Sequence, residues 1–123
     1  MMASDIVQQH FMRALSALEI NGVRIPVCQV PGGAGEKTWV SFNEASGFGM
    51  TAGNQVQRIR HLVQLHAFSH SEDDEHRAAF FAAIQLLKAA GVRIFSWGPD
   101  EYEKDTGISH IACTCTWWQT GTE

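Results

Sequence analysis

Residues 56–68 place the strongest constraint on the fold, because apolar and polar side chains alternate along the whole segment. One face of such a strand would carry Ile59, Val63, Leu65 and Ala67. The other face would carry Arg58, Arg60, Gln64 and His66, with Leu62 among them. Successive side chains of a strand point to opposite faces, and one buried face beside one wet face is typical of antiparallel sheets. The segment therefore predicts a sheet that is covered on one side only.

Two amphipathic helices are predicted to cover that sheet. The first begins at Ser4, which can cap a helix, and ends at Asn21-Gly22. Its apolar face would hold Val7, Phe11, Ala14, Leu15 and Leu18. The second begins at Ser71, and its first turn would contain Glu72, Asp73 and Asp74, which suit the positive end of the helix dipole. Its apolar stripe would be Phe80, Ala83, Ile84 and Leu87, and Gly91 would end it.

Four further segments have the composition of strands. Residues 23–30 contain Pro26, which cannot donate a hydrogen bond to a neighbouring strand, so this segment is predicted to lie at a sheet edge. The others are residues 38–44, 92–97 and 108–118. Because strands occur in runs, the fold class is predicted to be α+β. We expect a mostly antiparallel sheet of four to five strands with two helices packed on one face, and a single domain spanning residues 1–123.

The predicted core joins the second helix to the sheet. It contains Val63, Leu65, Phe80, Ile84, Leu87 and Ile111. Cys113 and Cys115 would be small core residues, since thiols two apart on a strand share a face but suit neither a disulfide nor a zinc knuckle.

Three segments are predicted to be loops. Residues 31–35, "PGGAG", lack the Gly-Lys-Ser/Thr ending of a phosphate-binding loop and are interpreted as a hairpin connection. Residues 98–107 form a polar, acidic loop without the spacing of an EF-hand. Residues 45–55 are rich in glycine and carry Phe48 and Met50, so we expect a mobile connection that becomes ordered on a partner.

Composition excludes several classes of protein. The formal net charge of −4 and the pI of about 5.8 argue against a general nucleic-acid binder, which needs an excess of Lys and Arg. No stretch approaches the roughly 20 apolar residues that span a bilayer. The first residues do not resemble a secretory signal, and the number of cysteines is odd. We therefore expect synthesis in a reducing cytoplasm.

The sequence contains no recognisable catalytic or metal-binding motif. His61 and His66 would point to opposite faces of a strand, and the histidines are expected to lie mostly at the surface. The acids at residues 73–75 are explained by a helix dipole. We predict no enzyme activity, no cofactor and no metal. The alternative, a small soluble enzyme or ligand-binding domain that uses the histidines or the acidic loop, remains open.

The remaining sequence evidence about function comes from apolar side chains that have no obvious place in the core. Trp117 and Trp118 are adjacent, so one of them must face away from the core. Trp39 and Trp97 would lie at strand ends, and Phe48 and Met50 in a loop. Aromatic residues and Met are enriched at protein interfaces. This distribution favours an assembly role.

Two segments resemble the tail terminator and tail completion proteins of long-tailed phages, including the lambda-like terminator. In that family an acidic loop with an Asp-x-Gly-aliphatic turn leads into the last strand, and Asp105, Gly107 and Ile108 of "PDEYEKDTGI" match it. Residues 62–87 resemble the preceding strand, polar break and acidic helix start. The order of elements and the length of the chain also agree, although the tryptophan pair is not part of the family's pattern.

The resemblance implies a virion structural protein without catalytic activity. Such a protein forms a ring, commonly a hexamer, that caps the tail tube, ends its growth and joins the tail to the head-to-tail connector. It would be made in the host cytoplasm and reside at the tail-neck junction, either at the terminator position or in the adjacent neck. Genome DNA would pass through the lumen without specific binding. The expected interface residues are Phe48, Met50, Tyr102, Asp105, Trp117 and Trp118.

Overall fold

The computed structural model describes residues 5–28, 37–52, 55–70 and 73–120. The helices are α1, Asp5–Ala14, and α2, Glu75–Ala89. A short 3-10 turn, Leu15–Ala17, follows α1. The strands are β1 (Glu19–Ile20), β2 (Val23–Arg24), β3 (Val27–Cys28), β4 (Thr38–Ala52), β5 (Gln55–Ser69), β6 (Arg93–Glu103) and β7 (Ile108–Thr120). Residues 31–35, the predicted hairpin connection, lie outside the described ranges.

Five strands form the main sheet, in the spatial order β3-β4-β5-β7-β6. All its neighbours are antiparallel except β3 and β4, which run parallel. Val27 and Cys28 pair with Val40 and Ser41, so the segment that contains Pro26 does lead into an edge strand. The α+β class and the mostly antiparallel sheet are confirmed.

The core lies between one face of this sheet and the two helices. All six residues of the predicted core are buried, and Phe42 and Cys115 are buried with them. Phe11 of α1 meets Phe42 of β4 with ring centroids 5.3 Å apart, which fixes the first helix to the sheet. Both predicted apolar stripes therefore point to the core.

The helix boundaries differ from the predicted ones. The first helix stops at Ala14, because the chain turns through the 3-10 segment and Leu18 is already extended. Asn21-Gly22 forms the two-residue turn between β1 and β2, with φ angles of 52° and 81°; positive φ at both positions is the geometry that such hairpins require. The second helix begins at Glu75, since Asp74 has a φ of 56° and lies outside it.

Two predicted loops are strands instead. The backbone of residues 45–52 continues β4 and pairs with β5, and a bulge lies between Glu44 and Ser46. Residues 98–103 continue β6 along β7, and only residues 104–107 form a turn. Gly98 and Pro99 are accommodated at a bulge in the edge strand, whereas Gly47 and Gly49 pair in regular register with β5.

Candidate functional site

An exposed pair of aromatic rings marks the middle of β6. Trp97 is 57% exposed and Phe81 of α2 is 48% exposed, and their ring centroids lie 5.7 Å apart. The buried ring of Phe80 packs against Trp97 on its core side, with ring centroids 5.3 Å apart. We call Phe81 and Trp97 the aromatic patch. Its rings are held in place by the core, so they present a preformed apolar surface.

The strand β6 that carries this patch is an edge of the sheet and is protected against uncontrolled pairing. Register shifts interrupt its pairing with β7 between Ile94 and Ser96 and between Trp97 and Asp100. At the second shift, a Cβ on Gly98 would lie 3.0 Å from the carbonyl oxygen of Ala112, so the close approach of the two backbones favours glycine. Bulges, Pro99 and acidic residues are devices that discourage edge-to-edge aggregation.

Phe95 adds a second exposed ring on the same strand. It is 63% exposed, and the guanidinium of Arg60 lies 5.4 Å from its ring centroid, within the range of a cation–π contact. Phe81 was not predicted as an interface residue. The signal for Phe81 was present in the sequence, because it is a large aromatic residue off the apolar stripe of its helix.

Tyr102 and Asp105, two predicted interface residues, are exposed at the far end of β6. Tyr102 is in the strand and 58% exposed, and Asp105 is in the turn that follows. The turn is closed by the amide of Gly107, which donates to the carbonyl of Glu103 at 2.8 Å. The structure therefore brings Tyr102 and Asp105 together at one corner of the sheet.

The tryptophans are less available than their sequence positions suggested. Trp117 stacks on His10 with centroids 4.1 Å apart and packs against the core. Trp118 lies opposite Arg60 in the sheet and is half-buried. Trp39 is buried rather than exposed, because it stacks on Phe68 with centroids 5.1 Å apart. Of the four tryptophans, Trp97 alone is largely exposed.

Phe48 and Met50 do not lie in a loop. Their backbone belongs to β4, where they pair with Arg60 and Arg58. The expectation of a mobile connection over residues 45–55 is therefore wrong for the described part of that segment. The side chains of Phe48 and Met50 lie outside what the structure describes, so their part in an interface stays a prediction.

Two histidines are buried, contrary to the expectation that these side chains lie mostly at the surface. His61 faces the core side of β5, where Nδ1 lies 2.7 Å from Oε2 of Glu44 and Nε2 lies 2.8 Å from Oε1 of Gln119. This buried hydrogen-bonded pair links β4 to β5 at the bulge, and Gln119 extends the network to β7.

His76, in the first turn of α2, is 3% exposed. Its Nε2 lies 2.9 Å from Oδ1 of Asp100 on β6, and Arg77 donates from Nε to the other oxygen of the same carboxylate. Burial acts to raise the pKa of the Asp100 carboxylate, but the hydrogen bonds and charges of His76 and Arg77 together lower it. These residues line a cavity of about 440 Å³ that also reaches Tyr102 and Ser109. The network attaches the start of α2 to the edge strand.

A second histidine pair lies on the sheet face opposite the helices. Nδ1 of His66 is 2.9 Å from Nε2 of His110, and Phe68 stacks on His110 with centroids 4.3 Å apart. Burial, assisted by the charge of His110, lowers the pKa of His66 to about 4. The pKa of His110 is also lowered, mainly by burial, although Glu101 acts in the opposite direction. One nitrogen of the pair must donate and the other must accept, so the accepting ring is neutral and the two rings cannot both be protonated.

We expect the protein to lose stability as the pH falls from about 6.5 towards 4. Because the pKa of His66 is lowered in the folded state, the unfolded chain binds protons first, and this reduces the free energy of unfolding. Above pH 6.5 the effect should vanish. Urea denaturation at pH 7 and pH 5 measures the difference, which should be smaller in a His66→Phe variant. The exposed His70 provides the matched control, and an equal reduction in His70→Phe would contradict the assignment.

Cys113 and Cys115 are buried on one strand face with their sulfurs 3.7 Å apart. Their hydrogen bond and their burial raise the pKa of the Cys115 thiol, which disfavours the reactive thiolate. Both residues are therefore part of the core, as predicted.

Within residues 5–28, 37–52, 55–70 and 73–120, no group of three or more His, Cys, Asp or Glu side chains is arranged to hold a metal ion. Neither of the described helices has the length and apolar character needed to cross a bilayer. Comparison with protein-family models and with curated protein sequences gives no match.

Proposed function

We propose that the protein is a phage virion structural protein that caps the tail tube as a ring, ends tail growth and joins the tail to the head-to-tail connector. The observation that carries this proposal is the aromatic patch formed by α2 and β6. Phe81 and Trp97 are fixed by the core yet remain exposed, and rigid aromatic side chains of this kind are what interfaces bury. An assembly subunit would cover them.

Three further features are consistent with this role. The α+β fold agrees with what the resemblance to tail terminator proteins implies. The matching residues Asp105, Gly107 and Ile108 lie in the turn and the start of β7, at the exposed corner of the sheet. The net charge of −4 suits a lumen through which DNA passes without adhesion, because like charges repel.

Electron microscopy of phage particles, with gold label directed at this chain, tests the proposal. We expect label at the junction between tail and head, and tails of abnormal length or unattached heads when the chain is absent. Label confined to another part of the particle, or particles that form normally without the chain, would overturn the proposal. A Phe81→Ser/Trp97→Ser variant should fold and fail to rescue assembly, whereas Met12→Ser, a change at an exposed apolar residue of α1, should rescue it.

A second candidate is a small enzyme or ligand-binding domain, and the His76–Asp100 pair favours it. The pair lines a cavity of about 440 Å³, and Nδ1 of His76 is buried without a hydrogen-bond partner among the described residues. Solution mass separates the two candidates. Light scattering should give a ring, about 82 kDa for six chains of 13.6 kDa, for the structural protein, and a monomer or dimer for the second candidate.

A further inference from the structure

A cleft of about 460 Å³ lies at the β3–β4 side of the sheet, on the face covered by the helices. Ile20, Val23 and Pro26 give it an apolar wall, and Val23 is 64% exposed. Thr38, the first residue of β4, also lines it. The cleft therefore has the size and the lining to receive one large side chain.

Charged residues surround this cleft. Arg24 and Lys37, both exposed, supply positive charge, and Asp73 and Glu75 supply negative charge. Lys37 and Glu75 form an ion pair at 3.5 Å in which the lysine remains largely exposed. The cleft thus presents positively charged side chains beside negatively charged ones. A partner with complementary charge must therefore carry both positive and negative groups.

A segment that carries charges of both signs lies at the opposite edge of the sheet, at the end of β6. Tyr102 is exposed between Glu101 and Glu103, and Lys104 follows in the turn. A Cβ on Gly107 would lie 4.0 Å from the hydroxyl of Tyr102, so the ring sits beside the turn. We call residues 101–104 the acidic corner. It offers one aromatic ring, two carboxylates and one ammonium group.

The cleft and the acidic corner lie at the two ends of one row across the sheet. Thr38 pairs with Ser69, Ser69 with Ser109, and Ser109 with Tyr102. Three strand spacings separate the ends, about 14 Å. A second copy displaced along this row places its cleft beside the acidic corner of the first copy. Because β4 and β6 run in opposite directions, β4 of the second copy is then antiparallel to β6 of the first.

We infer that the acidic corner of one copy seats in the cleft of the next copy, with Tyr102 against Val23 and the glutamates facing Arg24 and Lys37. The inference rests on the proposed ring and specifies how its subunits meet. The two surfaces differ, so the contact is heterologous. Repeated contacts of this kind form a ring when the rotation from each copy to the next brings the last copy back to the first. A symmetric contact between two acidic corners would place the glutamates of one copy against those of the other, and their negative charges would repel.

A charge-exchange experiment tests this contact. One variant carries Glu101→Lys and Glu103→Lys, and the other carries Arg24→Glu and Lys37→Glu. Each variant alone places like charges at every contact, so we expect the concentration needed for half assembly to rise about tenfold or more. An equimolar mixture restores opposite charges at every contact and should assemble as the parent does. Light scattering gives the mass, and circular dichroism verifies that each variant folds.

Tyr102 provides a second measurement with a matched control. Tyr102→Ala should weaken assembly, whereas Phe95→Ala, which removes an equally exposed ring from the same strand, should leave it unchanged. Assembly of each charge variant alone, or failure of the mixture to assemble, would overturn the inference while leaving the ring itself intact. A parent protein that forms no ring, either alone or on tails, would instead overturn the proposed function.

Discussion

Replacing Phe42 with alanine is expected to lower the free energy of unfolding by about 3–5 kcal/mol, the usual cost of removing a large buried aromatic ring. Phe42 is fully buried on β4 and contacts Phe11, so it joins the first helix to the sheet. The cavity left behind would loosen this joint, since cores collapse only partly around a deletion.

Urea denaturation at one fixed protein concentration measures the change in stability through the midpoint, provided that the slope is unchanged. Phe95→Ala is the control, because Phe95 is an exposed phenylalanine whose removal should cost about 0.5 kcal/mol or less. A loss of under about 1 kcal/mol in Phe42→Ala would mean that α1 is not docked on this face of the sheet.

The second large effect is expected at the buried pair of Glu44 and His61. Glu44→Ala removes the carboxylate that lies 2.7 Å from His61 Nδ1 and leaves a buried imidazole without this partner. Leaving a buried polar group without its hydrogen-bond partner costs about 1–3 kcal/mol. Glu44→Gln keeps a hydrogen-bonding oxygen of the same shape and should cost clearly less.

Thermal and urea denaturation compare these variants with Glu19→Ala, which removes an exposed glutamate and should be nearly neutral. Combining Glu44→Ala with His61→Leu should recover part of the loss, because no buried imidazole then lacks its partner. Equal losses in the single and double variants would show that the pair is not coupled.

Periodicity predicted the parts of the fold that depend on local geometry. The alternation along residues 56–68 identified β5 and its buried face, and Val63 and Leu65 are fully buried as expected. The stripe from Phe80 to Leu87 likewise identified the core face of α2. In both elements the side-chain period follows from the backbone alone, so a single sequence contains the information.

The errors arose where pairing with a distant strand overrides local preference. Residues 45–52 contain small residues and glycines that disfavour strands, yet most of them pair with β5 across the hairpin. Gly98 and Pro99 suggested a loop, but they occupy a bulge in an edge strand, where glycine and proline are tolerated. Neither outcome can be read from the residues themselves, because it depends on which strand lies alongside.

The same limit applies to the candidate interface. Tyr102 and Asp105 are exposed as predicted, since both belong to a charged segment at a turn. Trp117 is partly buried because it stacks on His10, a residue near the other end of the sequence. Trp39 is covered by its stack on Phe68. Such contacts between distant residues leave no local pattern in the sequence.

The position of β7 has a consequence for synthesis. This strand is the last of the described strands along the chain, yet it lies between β5 and β6. While a ribosome is still making residues 108–120, β6 has no neighbour in the sheet, and the helices lack Ile111, Cys113 and Cys115 to pack on. Domains form from the N-terminus during translation, but here the sheet can close only when this strand emerges. The aromatic patch and the acidic corner therefore reach their final arrangement only after β7 has been made and has paired with β6.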